Sequence, residues 1–169
     1  MQSLERAADR VAQGLALVGA VGIVAMLLHV GVDVVTRNLF GRPIPATNEI
    51  VSGYYMVLIA FLPLAWVERN RGMVSVDLLD AAMSPRVRLA ADLFVALLAT
   101  ALYLVITWVG WQAAMSRWHI GAFVDVLGYR LPIWPTYFLP PVGFFLAGMM
   151  TLLRAVQTVR DAIRGTAGA

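Results

Sequence analysis

Four long stretches without a charged residue constrain this 169-residue chain more than any other feature of its sequence. They contain 22, 18, 24 and 23 residues, at 11–32, 50–67, 93–116 and 131–153. A helix of ~20 residues crosses a hydrocarbon core of ~30 Å, and a segment in lipid must satisfy its backbone hydrogen bonds internally. None of the four alternates polar and apolar residues as the strands of a membrane barrel do. The sequence therefore predicts an all-α integral membrane protein with four transmembrane helices.

The composition agrees with this class, because 60% of the residues are hydrophobic and 14% are charged, against roughly 25% charged in a soluble domain. We expect a single membrane domain over 1–169, with spans at about 11–35, 49–67, 87–112 and 133–156. The first apolar stretch is longer than the core of a secretory signal peptide and lacks a convincing cleavage site, so we expect it to remain as a permanent helix.

The charged residues indicate an orientation and exclude some partners. All thirteen basic residues are arginine: nine lie near the two termini or between the second and third spans, and four lie in the other two loops. Because cytoplasmic loops carry the excess of positive charge, we predict that both termini are cytoplasmic. The chain has no cysteine, which excludes disulfides and thiolate metal sites. No basic patch interleaved with aromatic residues accompanies the net charge of +3, so we expect no nucleic-acid partner.

The segment between the second and third spans has the periodicity of a short amphipathic helix. At ~100° per residue, the apolar residues of 73–83 cover a broad arc and two aspartates share the opposite side. We predict a helix lying in the membrane interface, with neighbouring arginines among lipid headgroups; an irregular loop is the alternative. The candidate residues of this helix are Val76, Asp77, Leu78, Leu79, Asp80 and Met83.

The first span carries small residues at close to helical spacing. Such residues allow a second helix backbone to approach closely, although alanine is also common in helices without that role. We therefore propose a packing face for a second helix or subunit. Its members are Ala12, Ala16, Gly19 and Ala20, with Gly22 at its border.

His29 and Asp33 continue in line with Gly22, near the outer end of the first span. An ionisable residue inside a membrane is a functional hypothesis by default, so one interpretation is a proton-relay pair. The other is a buried polar clasp in which Asp33 also reaches Arg37, one turn away. The second interpretation is favoured because no other span has a carboxylate or histidine at mid-depth.

Three prolines lie within the predicted spans. Pro63 in the second span and Pro140–Pro141 in the fourth remove backbone donors, which predicts kinks in both helices.

The sequence contains no nucleophile–base signature, phosphate loop or clustered metal ligands. It therefore predicts a scaffold or accessory subunit, not an enzyme. One alternative is a membrane anchor of a respiratory enzyme, in which His29 or His119 would ligate haem, or a quinone would bind.

Three segments resemble one family over nearly the whole chain: "RNLFGRPIPATNEI" (37–50), "ERNRGMVSVDLL" (68–79) and "LPIWPTYFLPPVGFFLAGMMTLLRAVQ" (131–157). The family is the DctQ-type small permease subunit of tripartite ATP-independent periplasmic (TRAP) transporters. Its arginine–aromatic–glutamate pattern around the first outer loop falls on Arg37, Phe40 and Glu49. The chain departs from the family at 46–48, where a tryptophan and paired acids are common, and at Met73, where histidine is common.

The resemblance implies a subunit of a sodium-coupled importer in the bacterial inner membrane. A periplasmic binding protein would deliver an organic acid or similar solute to a large permease subunit, and this chain would pack against that subunit and stabilise it. Sodium would bind the large subunit, and no cofactor is expected in this chain. Arg37, Phe40 and Glu49 would have a structural or docking role at the outer loop. A stand-alone small transporter is a further alternative.

Overall fold

The computed structural model describes residues 2–70, 84–126 and 128–163. Six α-helices occupy most of this length: α1 (Gln2–Phe40), α2 (Thr47–Ile50), α3 (Met56–Phe61), α4 (Leu64–Arg69), α5 (Pro85–His119) and α6 (Leu139–Ile163). A π-helix, Val51–Tyr55, joins α2 to α3, and a 3₁₀-helix, Trp134–Phe138, precedes α6. Two short strands, β1 (Phe123–Val126) and β2 (Tyr129–Pro132), lie between α5 and α6.

Four helical segments are long and apolar enough to cross a membrane. They are span 1 (Arg6–Phe40), span 2 (Thr47–Arg69), span 3 (Val87–His119) and span 4 (Trp134–Arg160). The predicted all-α membrane architecture with four transmembrane helices is therefore confirmed. The helix of span 1 has 39 residues, roughly 58 Å at ~1.5 Å per residue, so it is longer than the lipid core is thick. The predicted interfacial helix at 73–83 lies outside the described residues.

The spans form a row, not a closed bundle. The main contacts run from span 1 to span 2, from span 2 to span 4, and from span 4 to span 3. Span 4 is the most enclosed: 39% of its most apolar window is buried, against 11% in each of the other three. The sequence order 1-2-3-4 thus becomes the spatial order 1-2-4-3, and many large apolar side chains of the two end helices, spans 1 and 3, remain exposed.

Small residues lie at the contacts between these helices. Ala12, Ala65, Ala114 and Ala147 are each 1% exposed or less. Lipid competes with protein for large apolar side chains, so helix association in membranes depends on close backbone approach at small residues. The interior of this chain is accordingly narrow and composed largely of alanine and glycine.

Span 2 is interrupted at Pro63, as the sequence predicts. The regular bonding reaches Leu62, whose N–H donates to the Leu58 carbonyl, and then the N–H groups of Trp66 and Val67 both donate to the Pro63 carbonyl. The two prolines of the fourth span lie at the junction between the 3₁₀-helix Trp134–Phe138 and α6, and not in the interior of a regular α-helix. Pro140 and Pro141 occupy the first turn of α6, where backbone N–H groups have no intrahelical partner anyway.

The loop between spans 3 and 4 folds into an antiparallel hairpin, where the sequence analysis predicted no strand. Its register pairs Phe123 with Pro132 and Val126 with Tyr129. Gly128 lies in the turn with a φ of +88°, a conformation that glycine adopts without steric cost, and its N–H donates to the Asp125 carboxylate at 3.1 Å. We call this end of the molecule the hairpin end, and the opposite end, with Arg6, Arg10 and Arg69, the arginine-rich end.

Candidate functional site

The buried side of span 1 packs directly on span 2, on both sides of the proline interruption. A Cβ atom on Gly19 would lie 2.6 Å from Cγ of Pro63, and one on Gly22 would lie 2.7 Å from Cδ2 of Leu58. Both distances are shorter than real Cβ contacts; the rigid Pro63 ring makes the approach dependent on glycine at position 19, whereas Leu58 Cδ2 is the end of a flexible side chain that could shift. Ala12 belongs to the same side and packs in a cluster with Met150 of span 4.

The buried stripe follows the true helical period and not the spacing of four. Ala12 and Gly19 are buried, Ala16 is half-buried and Ala20 is exposed in this chain. Each step of four residues overshoots a full turn by about 40°, so a series of fours leaves the buried side within two steps. The contact with span 2 thus includes Gly22 and excludes Ala20.

His29 and Asp33 lie on this stripe, but their side chains have different partners. Nδ1 of His29 lies 3.5 Å from the Tyr55 hydroxyl of the π-helix, and the two rings meet edge to face with centroids 5.8 Å apart. Asp33 instead contacts its own helix and the following loop. The arrangement favours the polar clasp over the proton-relay pair.

Asp33 anchors the first outer loop at the hairpin end. It is 4% exposed, and its Oδ1 accepts a hydrogen bond of 2.6 Å from the Ile44 N–H. Its Oδ2 accepts a bond of 3.0 Å from Nη2 of Arg37, whose side chain is 59% exposed. A buried carboxylate that accepts a backbone N–H satisfies a loop donor that would otherwise lack a partner.

The other outer-loop candidates do not share this network. Phe40 ends α1 and is 73% exposed. Glu49, in the first turn of span 2, is half-buried. Within the part of the chain that the structure describes, Arg37 pairs with Asp33, and no ion pair or hydrogen bond engages the Glu49 carboxylate.

Two crevices open beside the first turns of span 2. One has a volume of about 310 Å³ and lies between span 2, the hairpin and the start of span 4. The second, of about 570 Å³, lies between spans 1 and 2 and includes Asp33 and Arg37. Ser52 lines both. The residues that line the first crevice, which we call the Glu49 cavity, are Glu49, Ser52, Gly53, Val57, Val124, Ile133, Thr136, Tyr137 and Pro140.

Several polar contacts between elements were not predicted from the sequence. The Tyr54 hydroxyl donates to the Pro132 carbonyl, which ties the π-helix to the hairpin. The Tyr103 hydroxyl donates to Oε1 of Glu68 at 2.5 Å and joins span 3 to the end of span 2. The adjacent tyrosines in "VSGYY" could have indicated such contacts, because a tyrosine hydroxyl inside an apolar span usually has a hydrogen-bond partner.

Threonines connect spans 3 and 4, and an ion pair connects spans 1 and 2. The Thr100 and Thr151 hydroxyls are buried and 2.8 Å apart. At the arginine-rich end, Nε of Arg69 lies 2.6 Å from Oδ1 of Asp9. Two neighbouring pairs in the row, spans 1 and 2 and spans 3 and 4, therefore have a polar contact as well as a small-residue contact.

The described residues contain no cluster of three histidine, cysteine, aspartate or glutamate side chains that could hold a metal ion. His119 is exposed at the end of α5, whereas His29 packs on Tyr55. The structure therefore gives no support to a haem site built on these two histidines.

Comparison with family models finds one match, over residues 26–161: the DctQ component of the tripartite ATP-independent periplasmic transporters. Comparison with curated individual proteins finds no match. The matched range begins within span 1 and ends at the last turn of α6, so it includes the outer loop, the hairpin and the whole of spans 2 to 4. The chain belongs to the DctQ family, the small membrane component of TRAP transporters.

Proposed function

We propose that this chain is the small scaffold subunit of a sodium-coupled TRAP importer in the bacterial inner membrane. It packs against and stabilises the large permease subunit, which carries the substrate and the sodium ions. A periplasmic binding protein delivers the substrate, an organic acid or a similar solute. The chain itself contributes no catalytic step.

The observation that carries the proposal is the open row of helices. Spans 1 and 3 expose large side chains along their length, including Leu17 and Leu28 at 66%, Trp108 at 67% and Phe94 at 68%. Contiguous apolar surfaces on this scale are contact surfaces for lipid or protein. A row whose two end helices carry such surfaces, for contact with lipid and with a permease, suits a scaffold subunit.

The orientation follows from charge. The arginine-rich end, where Asp9 pairs with Arg69, would face the cytoplasm with both termini, because positive residues are retained on that side. The hairpin end, with the Asp33 network and the Glu49 cavity, would then face the periplasm. In this orientation the outer-loop residues would lie on the side of the binding protein and of the outer surface of the permease.

Co-expression with the large permease gene tests the proposal. Purification of this chain in mild detergent should recover the large subunit, and uptake of solute by cells or vesicles should require both membrane chains and the binding protein. Recovery of a haem-containing complex, seen as a Soret band, would instead support the respiratory alternative. Uptake by this chain alone in liposomes would support a stand-alone transporter.

A further inference from the structure

Glu49 stands out among the charged residues at the hairpin end because its carboxylate is half-buried without a partner in the described part of the chain. Three of the four arginines in the outer loops have contacts with other groups, and the fourth, Arg42, is exposed and makes no ion pair with Glu49 in the described part of the chain. Arg37 pairs with Asp33, Arg117 lies over the Tyr137 ring at 5.3 Å, and Arg130 lies over the Phe123 ring at 4.9 Å. A half-buried charge without a counter-charge is costly.

The Glu49 cavity is lined by one carboxylate, the hydroxyl-bearing side chains of Ser52, Thr136 and Tyr137, and several apolar residues. Glu49 and Ser52 lie in the first two turns of span 2, and Val57 lies two turns deeper on the same helix. Val124 and Ile133 form walls from the hairpin and its exit, and Pro140 closes the side toward span 4. Apolar lining residues together with a single carboxylate suit an aliphatic stem that carries a positive charge, as in arginine and lysine.

We propose that the Glu49 cavity is a socket for one basic side chain, arginine or lysine, of the large permease subunit. The proposal rests on the proposed function and adds a specific contact to it. A volume of about 310 Å³ accommodates one long side chain. A permanent subunit would supply a counter-charge to the half-buried carboxylate at all times, whereas a binding protein that docks and leaves would supply one only while docked.

The test compares two variants with a matched control in the co-expressed complex. Glu49→Gln keeps the shape of the side chain and removes its charge, and Glu49→Lys opposes a basic partner directly. Asp125→Asn is the control, because this carboxylate is exposed on the hairpin at the same end. Subunit affinity is measured by exchange of labelled small subunit in detergent, and the thermal stability of the isolated chain serves as the folding control.

We expect Glu49→Gln to weaken subunit association on the order of tenfold, since removing one member of a shielded charge pair leaves the other uncompensated. Glu49→Lys should abolish recovery of the large subunit, while Asp125→Asn changes affinity less than about twofold, as rim charges do. A photo-crosslinking residue introduced at Ser52, with Glu49 intact, should label the large subunit beside an arginine or lysine. This second measurement does not depend on a Glu49 variant that folds.

Three results would overturn the socket. One is unchanged subunit affinity in Glu49→Gln; another is lost uptake with an intact membrane complex, which would assign the cavity to the periplasmic protein. The third is a crosslink from Ser52 to lipid alone. Failure of the proposed function, a scaffold subunit of a TRAP importer, would be distinguishable from failure of the socket. In that case even the wild-type chain would recover no large subunit.

Discussion

Asp33 holds the backbone N–H of Ile44 at 2.6 Å, across eleven residues of chain. The bond ties the end of span 1 to the loop that leads into span 2. That loop contains Ala46 with a φ of +63°, a left-handed conformation that is unfavourable for a residue with a Cβ atom. The hydrogen bond between Asp33 and Ile44 therefore supports a loop conformation that the loop sequence alone does not favour.

Replacing Asp33 by alanine should release this loop, whereas Arg37→Ala should change it little. The Arg37 side chain is mostly exposed, and exposed ion pairs contribute little to stability; the Ile44 N–H, in contrast, loses its acceptor in Asp33→Ala. We expect the Ile44 amide to exchange with solvent at least on the order of tenfold faster in Asp33→Ala. Equal exchange rates in the two variants would show that the aspartate acts through the arginine.

Gly19→Ala should destabilise the contact between spans 1 and 2 even though alanine favours helices. The added Cβ would lie 2.6 Å from Cγ of Pro63, so one helix must shift, at a cost of about 1–3 kcal/mol. Gly31→Ala on the same helix is the matched control, because nothing lies within 4 Å of its Cβ position. Unfolding in graded detergent mixtures compares the two, and a Gly19→Ala variant as stable as Gly31→Ala would contradict the close contact.

Gly143→Ala should be more disruptive than Gly19→Ala, because its added Cβ would overlap the Phe61 carbonyl, whose carbon lies 2.9 Å away. Phe61 ends α3 just before the interruption at Pro63, and backbone there cannot move as readily as a side chain. The expected result is a loss of more than about 2 kcal/mol or a chain that no longer purifies as one species. Gly14→Ala, with open space at its Cβ position, should behave like wild type.

The number and class of the helices were predictable because a helix that crosses lipid needs a long apolar segment without charge. Such a segment consists of consecutive residues, so it can be recognised directly in the sequence. The row order was not predictable, because it depends on contacts between distant residues such as Thr100 and Thr151. The stripe on span 1 was predicted in part: Ala12, Gly19 and Gly22 are buried and Ala16 is half-buried, but the spacing of four also included Ala20, which is exposed.

Parts of the site were hidden for local reasons. The sequence predicts that Asp33 lies in a span, one turn from Arg37. It does not predict the bond to Ile44, because a backbone N–H group is the same in every residue except proline. The hairpin was missed although alternation and a glycine in "FVDVLGYRLP" are typical of one. The effect of Pro140 and Pro141 on the fourth span was not predictable, because a proline in the first turn of a helix removes no intrahelical hydrogen bond and the sequence does not show where α6 begins.

The Thr100–Thr151 contact should contribute measurably to the association of spans 3 and 4. Their hydroxyls are buried and 2.8 Å apart, and hydrogen bonds between membrane helices contribute roughly 0.6–2 kcal/mol. A double-mutant cycle with Thr100→Val and Thr151→Val should give a coupling energy in this range. Strictly additive losses would mean that each hydroxyl is satisfied by its own helix, through the Ala96 and Gly148 carbonyls that also contact them.

The proposed interfacial helix at 73–83 can be mapped with single cysteines, since the chain has none of its own. If the helix forms, labelling from the arginine-rich side should peak at Asp77 and Asp80, on its polar side, and fall at Leu78, Leu79 and Ala82, on its apolar side. Leu79→Asp should weaken assembly or transport without loss of solute capture by the binding protein. Uniformly high labelling would indicate a solvated loop instead.

The spatial order 1-2-4-3 has a consequence for biogenesis. Helices leave the ribosome in sequence order, so span 3 enters the membrane before span 4, the neighbour against which Thr100 and Ala114 are buried, has been synthesised. Spans 1 and 2 can pair at once through Gly19 and Pro63, but span 3 must wait beside the insertion machinery or in lipid with its hydroxyl uncovered. Completion of the row therefore depends on the last helix to be made, which inserts between two earlier ones and joins them.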